Sequence, residues 1–250
     1  GYAAKSKYCV NYKETRTYQE GYEFLMNAFS NEPHKPLIIT SGDGISVFID
    51  QHKDDLERFF IIPGTSKKGE LEKYTDKNAM TQLAVEIGIL CPESKYCQWD
   101  TNIDDVKYPC LIKPSHQKPG HYNEFKFKVC KSKSDLKRTL KVVRRDSEFI
   151  LQSCIPKEKD VLVYGARMWD GKTVLAGTFI KDRLAECGSG SHGILTPKIP
   201  QSIDTSKISE FLDRIDYHGL FSFEYGLVGN EAFFFEVNLR NDGTSHYFYQ

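Results

Sequence analysis

No apolar run in this 250-residue chain approaches the roughly 20 residues needed to span a bilayer, and the N-terminus lacks a charged-then-apolar secretory pattern. A membrane protein is therefore not expected. Neither sign of charge is in surplus: Lys plus Arg and Asp plus Glu both number 34, so the formal net charge is zero. A nucleic-acid surface or an anionic-membrane binder needs a basic excess, and neither is expected as a partner. The seven cysteines are odd in number and form no CxxC pair, which argues against a disulfide framework and a zinc knuckle. Cys110 and Cys154 sit in apolar stretches and read as small core residues, and the compartment expected is the reducing cytoplasm. Internal repeats and low-complexity segments are also missing. What remains is the composition of an ordinary globular protein, long enough for one large α/β unit or two to three small lobes.

The chain reads as an incomplete N-terminal α/β domain (1–75), a linking helix and connection (76–107), a small β-β-α-β lobe (108–155) and a larger lobe (156–250). Residues 36–40 (PLIIT) predict a strand that runs through Ser41-Gly42-Asp43-Gly44 into a helical pattern reaching about Arg58. The glycines there read as turn and helix cap. The opening residues show no first strand and helix for such a unit, so the true N-terminus is expected to lie upstream. Asp76 predicts a cap for a helix with Met80, Leu83, Ala84 and Ile87 on one face, ending at Gly88. Residues 108–113 (YPCLIK) read as a buried strand, followed by a polar loop and a second strand around 125–130. Ser132 and Asp135 form a capping box ahead of Leu136, Leu140 and Val143, and residues 149–152 close the lobe. This lobe is basic (Lys126, Lys128, Lys131, Lys133, Lys137, Arg138), and its helical lysines read as a solvated face. Beyond Asp160 come two strands turning at Asp170-Gly171, a Gly/Ser-rich loop at 187–193, and a helix marked by Ile208, Phe211, Leu212 and Ile215. Two strands, LFSFEYGLV and AFFFEVNLR, end the chain.

The last strand carries the sharpest chemical signal. Side chains alternate along a strand, which predicts one face of Phe233, Phe235, Val237 and Leu239 and another of Ala232, Phe234, Glu236, Asn238 and Arg240. On the preceding strand Glu224 points away from Phe221, Phe223 and Tyr225. Two carboxylates and an amide oxygen brought together form a hard-oxygen site suited to Mg²⁺. A merely solvated hairpin face explains the alternation, but favours Lys, Thr and Ser over E-x-N-x-R. For Glu224 to meet Glu236, the connecting loop must hold an odd number of residues, and Gly229-Asn230-Glu231 is the expected loop. Lys113, isolated in a buried run, can offer a fixed positive charge to phosphates. Lys77 in a first helical turn opposes the macrodipole, which fits a purpose as well as it fits a solvated lysine. Arg183, beside the Gly/Ser loop, could grip a carboxylate bidentately or be a surface arginine. His192 reads as a loop residue.

Glu224 followed by Glu236-x-Asn238-x-Arg240 resembles the metal and phosphate signature of ATP-grasp enzymes. Asp76-Lys77 with Gly88-Ile89-x-x-Pro92 resembles the segment bringing the family's first phosphate-binding lysine, and Tyr108-Pro109-x-Leu111-Ile112-Lys113-Pro114 the strand with the second. Gln152-Ser153-Cys154-Ile155-Pro156 resembles the hinge whose backbone meets adenine, and Asp160 falls where a carboxylate commonly holds ribose. The Ile155-Pro156-x-x-x-Asp160 spacing, with Arg183 before a Gly/Ser loop, points within the family to carboxylate-amine ligases, a group that includes D-aspartate ligases. Two departures stand out. The loop after Lys113 has one glycine where many relatives have several, so the side chain of His116 or Lys118 is expected to substitute; position 152 is Gln where many have Glu.

The resemblance implies an ATP-grasp fold, α/β with α+β lobes, preceded by a Rossmann-like pre-ATP-grasp domain. It implies ATP and Mg²⁺ (or Mn²⁺) as cofactors and small-molecule carboxylate and amine substrates, with an acyl phosphate formed between them. The implied residues are Lys77, Lys113, Gln152, Ser153, Ile155 and Asp160 for ATP, Glu224, Glu236 and Asn238 for metal, and Arg183 and Arg240 for substrate. Lys113 and Arg240 would be catalytic. A non-catalytic ATP-binding regulator and biotin-carboxylase or carbamoyl-phosphate-type chemistry are the alternatives. Neither the acid, the amine nor the oligomeric state follows from the sequence.

Overall fold

A computed structural model describes residues 2–115, 125, 127–143, 145–184 and 190–245; the expectations for His116, Lys118, Lys126 and residues 187–189 lie outside them. The order of elements is α1 (Tyr18–Phe29), α2 (Asp43–Gln51), α3 (Lys53–Leu56), β1 (Gly64–Thr65), α4 (Lys77–Glu86), β2 (Ser94–Cys97), β3 (Cys110–Pro114), β4 (Lys128–Cys130), α5 (Lys133–Leu140), β5 (Phe149–Ser153), β6 (Lys159–Arg167), β7 (Thr173–Leu184), β8 (Gly190–Thr196), α6 (Thr205–Arg214), β9 (Tyr217–Val228) and β10 (Glu231–Asn238). Among the described residues no helix is long and apolar enough to cross a membrane.

The strands form two antiparallel sheets. One runs β2-β5-β3-β4; the other runs β1-β9-β6-β7-β8, with β10 also paired to β9. Helix α5 covers the smaller sheet, burying Leu136 against Cys110, Ile112, Cys130, Phe149 and Leu151. It starts where the capping residues place it: Ser132 Oγ accepts from the Asp135 amide at 3.2 Å, and the Asp135 carboxylate accepts from the Lys131 amide. The larger sheet packs one face on α4 and α6. Phe211 of α6 meets Phe223 edge-on at 5.3 Å, and both lean on Phe234. Asp76 caps α4 by accepting from the Ala79 amide at 2.8 Å, so the first helical residue is Lys77.

Three local expectations are corrected. Residues 36–40 make only an isolated parallel bridge between Leu37 and Ile61, because the facing segment is short and Leu37 and Ile39 remain exposed. The helix expected from Asp43 to about Arg58 is broken at His52 into α2 and α3. Part of the expected Gly/Ser loop is β8, which includes His192.

The fourth correction concerns the hairpin. Its loop has two residues, Gly229 and Asn230, since Glu231 pairs with Val228. Gly229 adopts φ 54°, the left-handed backbone a tight turn requires. Continued unbroken, that register would have set Glu224 against Phe235. A β-bulge between Phe234 and Glu236 inserts one extra residue, and Glu224 pairs with Glu236 after all. The bulge also switches faces. Ala232 and Phe234 join the core ahead of it, Val237 and Leu239 beyond it, whereas Phe233 and Phe235 are only partly buried.

A second bulge lies where β7 passes Tyr164 and Gly165 of β6, which pair with Gly177 and Leu175 and leave Ala176 as the extra residue. A Cβ on Gly165 would meet the Val174 carbonyl oxygen and the Phe221 ring, each at 2.5 Å. The carbonyl is fixed in the ladder and cannot move aside. Gly165→Ala should therefore lose about 1–3 kcal/mol of stability, read from urea unfolding monitored by circular dichroism. An unchanged midpoint would contradict this packing.

Candidate active site

Glu224 and Glu236 are register partners on adjacent strands, on the sheet face opposite the aromatic core. Each carboxylate meets a lysine from a different element. Lys181, from β7, reaches Glu224 Oε1 at 2.5 Å, and Lys77, opening α4, reaches Glu236 Oε2 at 2.6 Å. Lys181 is only 9% exposed, so this pair is largely removed from water. A third lysine, Lys113 on β3, donates to Gln152 Oε1 at 3.2 Å, and Gln152 in turn donates to Ser94 Oγ. The Lys77 amide bonds to the Ser115 carbonyl at 3.4 Å, joining the start of α4 to the end of the strand bearing Lys113.

The electrostatics follow from this crowding. Burial, and then the neighbouring Glu236, push the Glu224 carboxyl above its usual range. Burial pulls Lys77 down, but Glu236, Asp43 and Glu224 together outweigh it and hold the ammonium above its ordinary value. Burial, and then the Lys77 charge, draw Lys113 down to about 8. Its hydrogen-bond partner Gln152 is a neutral amide and supplies no compensating charge.

Past β10 the chain bends back toward the N-terminal unit. Arg240 donates from Nε to Asp43 Oδ1 at 2.6 Å and from Nη2 to Asn238 Oδ1 at 2.9 Å. Asn238 Nδ2 donates to Ser222 Oγ, Ser222 donates to Asp242 Oδ2 at 2.7 Å, and the Tyr164 hydroxyl donates to Asp242 Oδ1 at 3.1 Å. This polar chain starts at the Asn238–Ser222 register pair, two positions along the same strands from Glu236 and Glu224, and fixes the Asn238 amide.

The sequence-expected residues fall into two groups. Glu224, Glu236, Asn238, Arg240, Lys77, Lys113 and Gln152 converge. Asp160 is buried on the same sheet as the register partner of Lys181, with its carboxylate on Lys157 at 2.6 Å. Ser153 and Ile155 lie at and just beyond the end of β5, the Ser153 amide bonded to the Glu93 carbonyl. Arg183 is exposed on β7, opposite His192 and past a bulge from Lys181, rather than beside the carboxylate pair. Sequence reasoning missed Lys181, Asp43, Ser222 and Asp242. Lys181 follows Thr178-Phe179-Ile180, and an isolated lysine after an apolar run was the signal read at Lys113.

The class is set by the fold: two antiparallel lobes with this arrangement are the ATP-grasp fold, α/β in class, as the resemblance implied. An L-amino acid ligase from Bacillus licheniformis superposes with a TM-score of 0.70 at 13% identity, over 94% of this chain and 56% of that one. An N5-carboxyaminoimidazole synthetase from Staphylococcus aureus, complexed with ADP, gives 0.69 at 15% identity, over 94% and 60%. In sequence the chain is similar to D-aspartate ligase of Enterococcus faecium (strain Aus0004), 23% identical over 241 residues, which is 88% of this chain and 56% of that protein. The resemblance to ATP-grasp carboxylate-amine ligases stands on these likenesses. The chain spans little more than half the length of these relatives. No family model matches it.

The Lys113 shift has a measurable consequence. Between about pH 8 and the ordinary lysine value near ~10.4, the unfolded chain holds a proton that the folded chain has released. Stability contributed by this group therefore rises with pH across that window. Lys113→Met removes the titration, so the parent should gain stability relative to the variant between those limits in a pH series of urea melts. A pH-independent difference would show that Lys113 titrates normally.

Proposed function

We propose that this chain binds ATP with a divalent cation, phosphorylates a substrate carboxylate and joins the resulting acyl group to an amine. One observation carries the reading. Three lysines from three separate elements, Lys77, Lys113 and Lys181, gather around two carboxylates that face each other on adjacent strands. Such a concentration of opposed charge is costly to hold together away from water unless charged ligands use it. The likeness to D-aspartate ligase and an L-amino acid ligase supports the same chemistry.

The donor set fits a hard cation. Glu224 and Glu236 are opposed oxygen donors whose mutual repulsion a cation would relieve, and Asn238 adds an amide oxygen already oriented by Arg240. Held by these three residues, Mg²⁺ or Mn²⁺ would neutralise phosphate charge during transfer. The chain's own groups do the rest. Lys77 and Lys113 would bind the phosphates, with Gln152 aiming the Lys113 amine and the Ser153–Ile155 backbone and Asp160 receiving the nucleoside. A carboxylate oxygen of the substrate forms a bond to the γ-phosphorus as the bond to the bridging β,γ-oxygen breaks, and ADP leaves. The amine nitrogen then bonds to the acyl carbon, phosphate departs, and the amine gives up a proton. Lys113 and Arg240 would stabilise the negative charge that builds on the transferring phosphoryl group. Arg183 would bind substrate from the rim of β7.

Phosphate release from Mg-ATP, screened across amino acids, small carboxylates and bicarbonate with an added amine, tests the reading. Release that depends on both an acid and an amine is the expected outcome. Release with bicarbonate alone would assign the carboxylating chemistry instead, and tight ATP binding without release a regulator. Glu236→Gln should abolish metal-dependent release with an unchanged circular dichroism spectrum, and Lys113→Ala should slow it by about a hundredfold. Parent-like turnover by either variant removes that residue from the site.

A further inference from the structure

We propose that Asp43, in the N-terminal unit, is a positioning residue that holds the Arg240 guanidinium in its working orientation. This rests on Arg240 meeting the terminal phosphate, as set out under the proposed function. Arg240 lies two residues beyond β10, where the strand ladder no longer fixes the backbone. A long arginine side chain there would sample many rotamers, and holding it in one costs entropy. Asp43 limits that freedom. Arg240 Nε donates to Asp43 Oδ1 at 2.6 Å, and Nη2 lies 3.5 Å from Oδ2, the fork-on-fork geometry of a carboxylate facing a guanidinium.

The other contacts complete the cradle. Arg240 Nη2 also donates to Asn238 Oδ1, and Nη1 donates to the Asn241 carbonyl at 3.4 Å. The Asn241 amide bonds to the Thr40 carbonyl at 3.0 Å, so the segment just ahead of α2 grips the same bend through the backbone. Exposure separates the partners: the Arg240 side chain is 17% exposed and that of Asp43 58%. The cation is largely enclosed, while the carboxylate reaches it from the open side. Asp43 also contributes to holding Lys77 above its ordinary value, so it lies within electrostatic range of a second phosphate-binding candidate. Asp43 is not a metal ligand in this arrangement. Its task is to aim Arg240.

Nucleotide selectivity tests this without any identified acid or amine. The affinities of Mg-ADP and of the non-hydrolysable triphosphate Mg-AMPPNP are measured by calorimetry for the parent, Asp43→Asn, Asp43→Glu, Arg240→Ala and the double variant Asp43→Asn/Arg240→Ala. Asp43→Asn should weaken AMPPNP about tenfold while ADP affinity stays within about twofold, the loss should vanish in the Arg240→Ala background, and Asp43→Glu should recover most of it. Equal weakening of both nucleotides, an unchanged AMPPNP affinity, or a loss that persists without Arg240 overturns the positioning role. If the parent binds neither nucleotide, or Arg240→Ala leaves AMPPNP affinity intact, the functional reading fails before the Asp43 variants are compared, and the positioning role fails with it.

Discussion

Two carboxylates face each other across the β9–β10 ladder, and much of the candidate site follows from having to tolerate them. Like charges at adjacent register positions repel, and their repulsion grows as the surroundings lose water. Glu224 shows the strain as a raised pKa, due first to burial and then to Glu236. The chain answers with cations delivered from far apart in sequence: Lys77 from the start of a helix, Lys181 from a strand on the opposite side of β6. Neither lysine could serve if its element were shifted by a residue or two. The cap at Asp76 and the β6–β7 pairing are therefore part of the electrostatics as much as of the fold.

Position 152 shows how one neutral atom sets the character of a neighbour. Lys113 donates its hydrogen bond to an amide oxygen, not a carboxylate, and its nearby cation Lys77 is already committed to Glu236. Burial is thus answered for Lys77 by direct contact with an anion and for Lys113 only at longer range, from Glu236 and Glu224. Two lysines that read alike in a sequence emerge with their pKa values displaced in opposite directions.

Much of this was legible beforehand because it is local. The Asp76 cap, the capping box at Ser132 and the alternation of Phe221, Phe223 and Tyr225 around Glu224 each obey a rule spanning a few residues, and each stands where the sequence placed it. The failures share a physical cause. A bulge has no periodic signature, so counting by twos along β10 put Phe234 on the wrong face even though Glu236 met Glu224 as expected. Residues 36–40 are apolar enough for a strand, but composition cannot report that the facing segment offers a single bridge. Asp43 with Arg240, and Lys181 with Glu224, are joined across 197 and 43 positions. No window short enough to read by propensity contains both partners.

The bulge at Phe234–Glu236 also divides the hairpin into two registers. Toward the tip the two-residue turn sets which side chains meet; beyond the bulge the turn and the extra residue set it together. Phe235 supplies that residue and lays its ring against Gly226, where a Cβ would come within 2.6 Å of it. With the two-residue turn kept, straightening the ladder at constant length would pair Glu236 with Phe223 and turn its carboxylate toward the aromatic core, whereas removing Phe235 would leave a regular ladder in which Glu236 still meets Glu224. The odd residue is a device of register: a related chain that lacks it keeps the paired carboxylates, and one that keeps its length but straightens the strand gives them up.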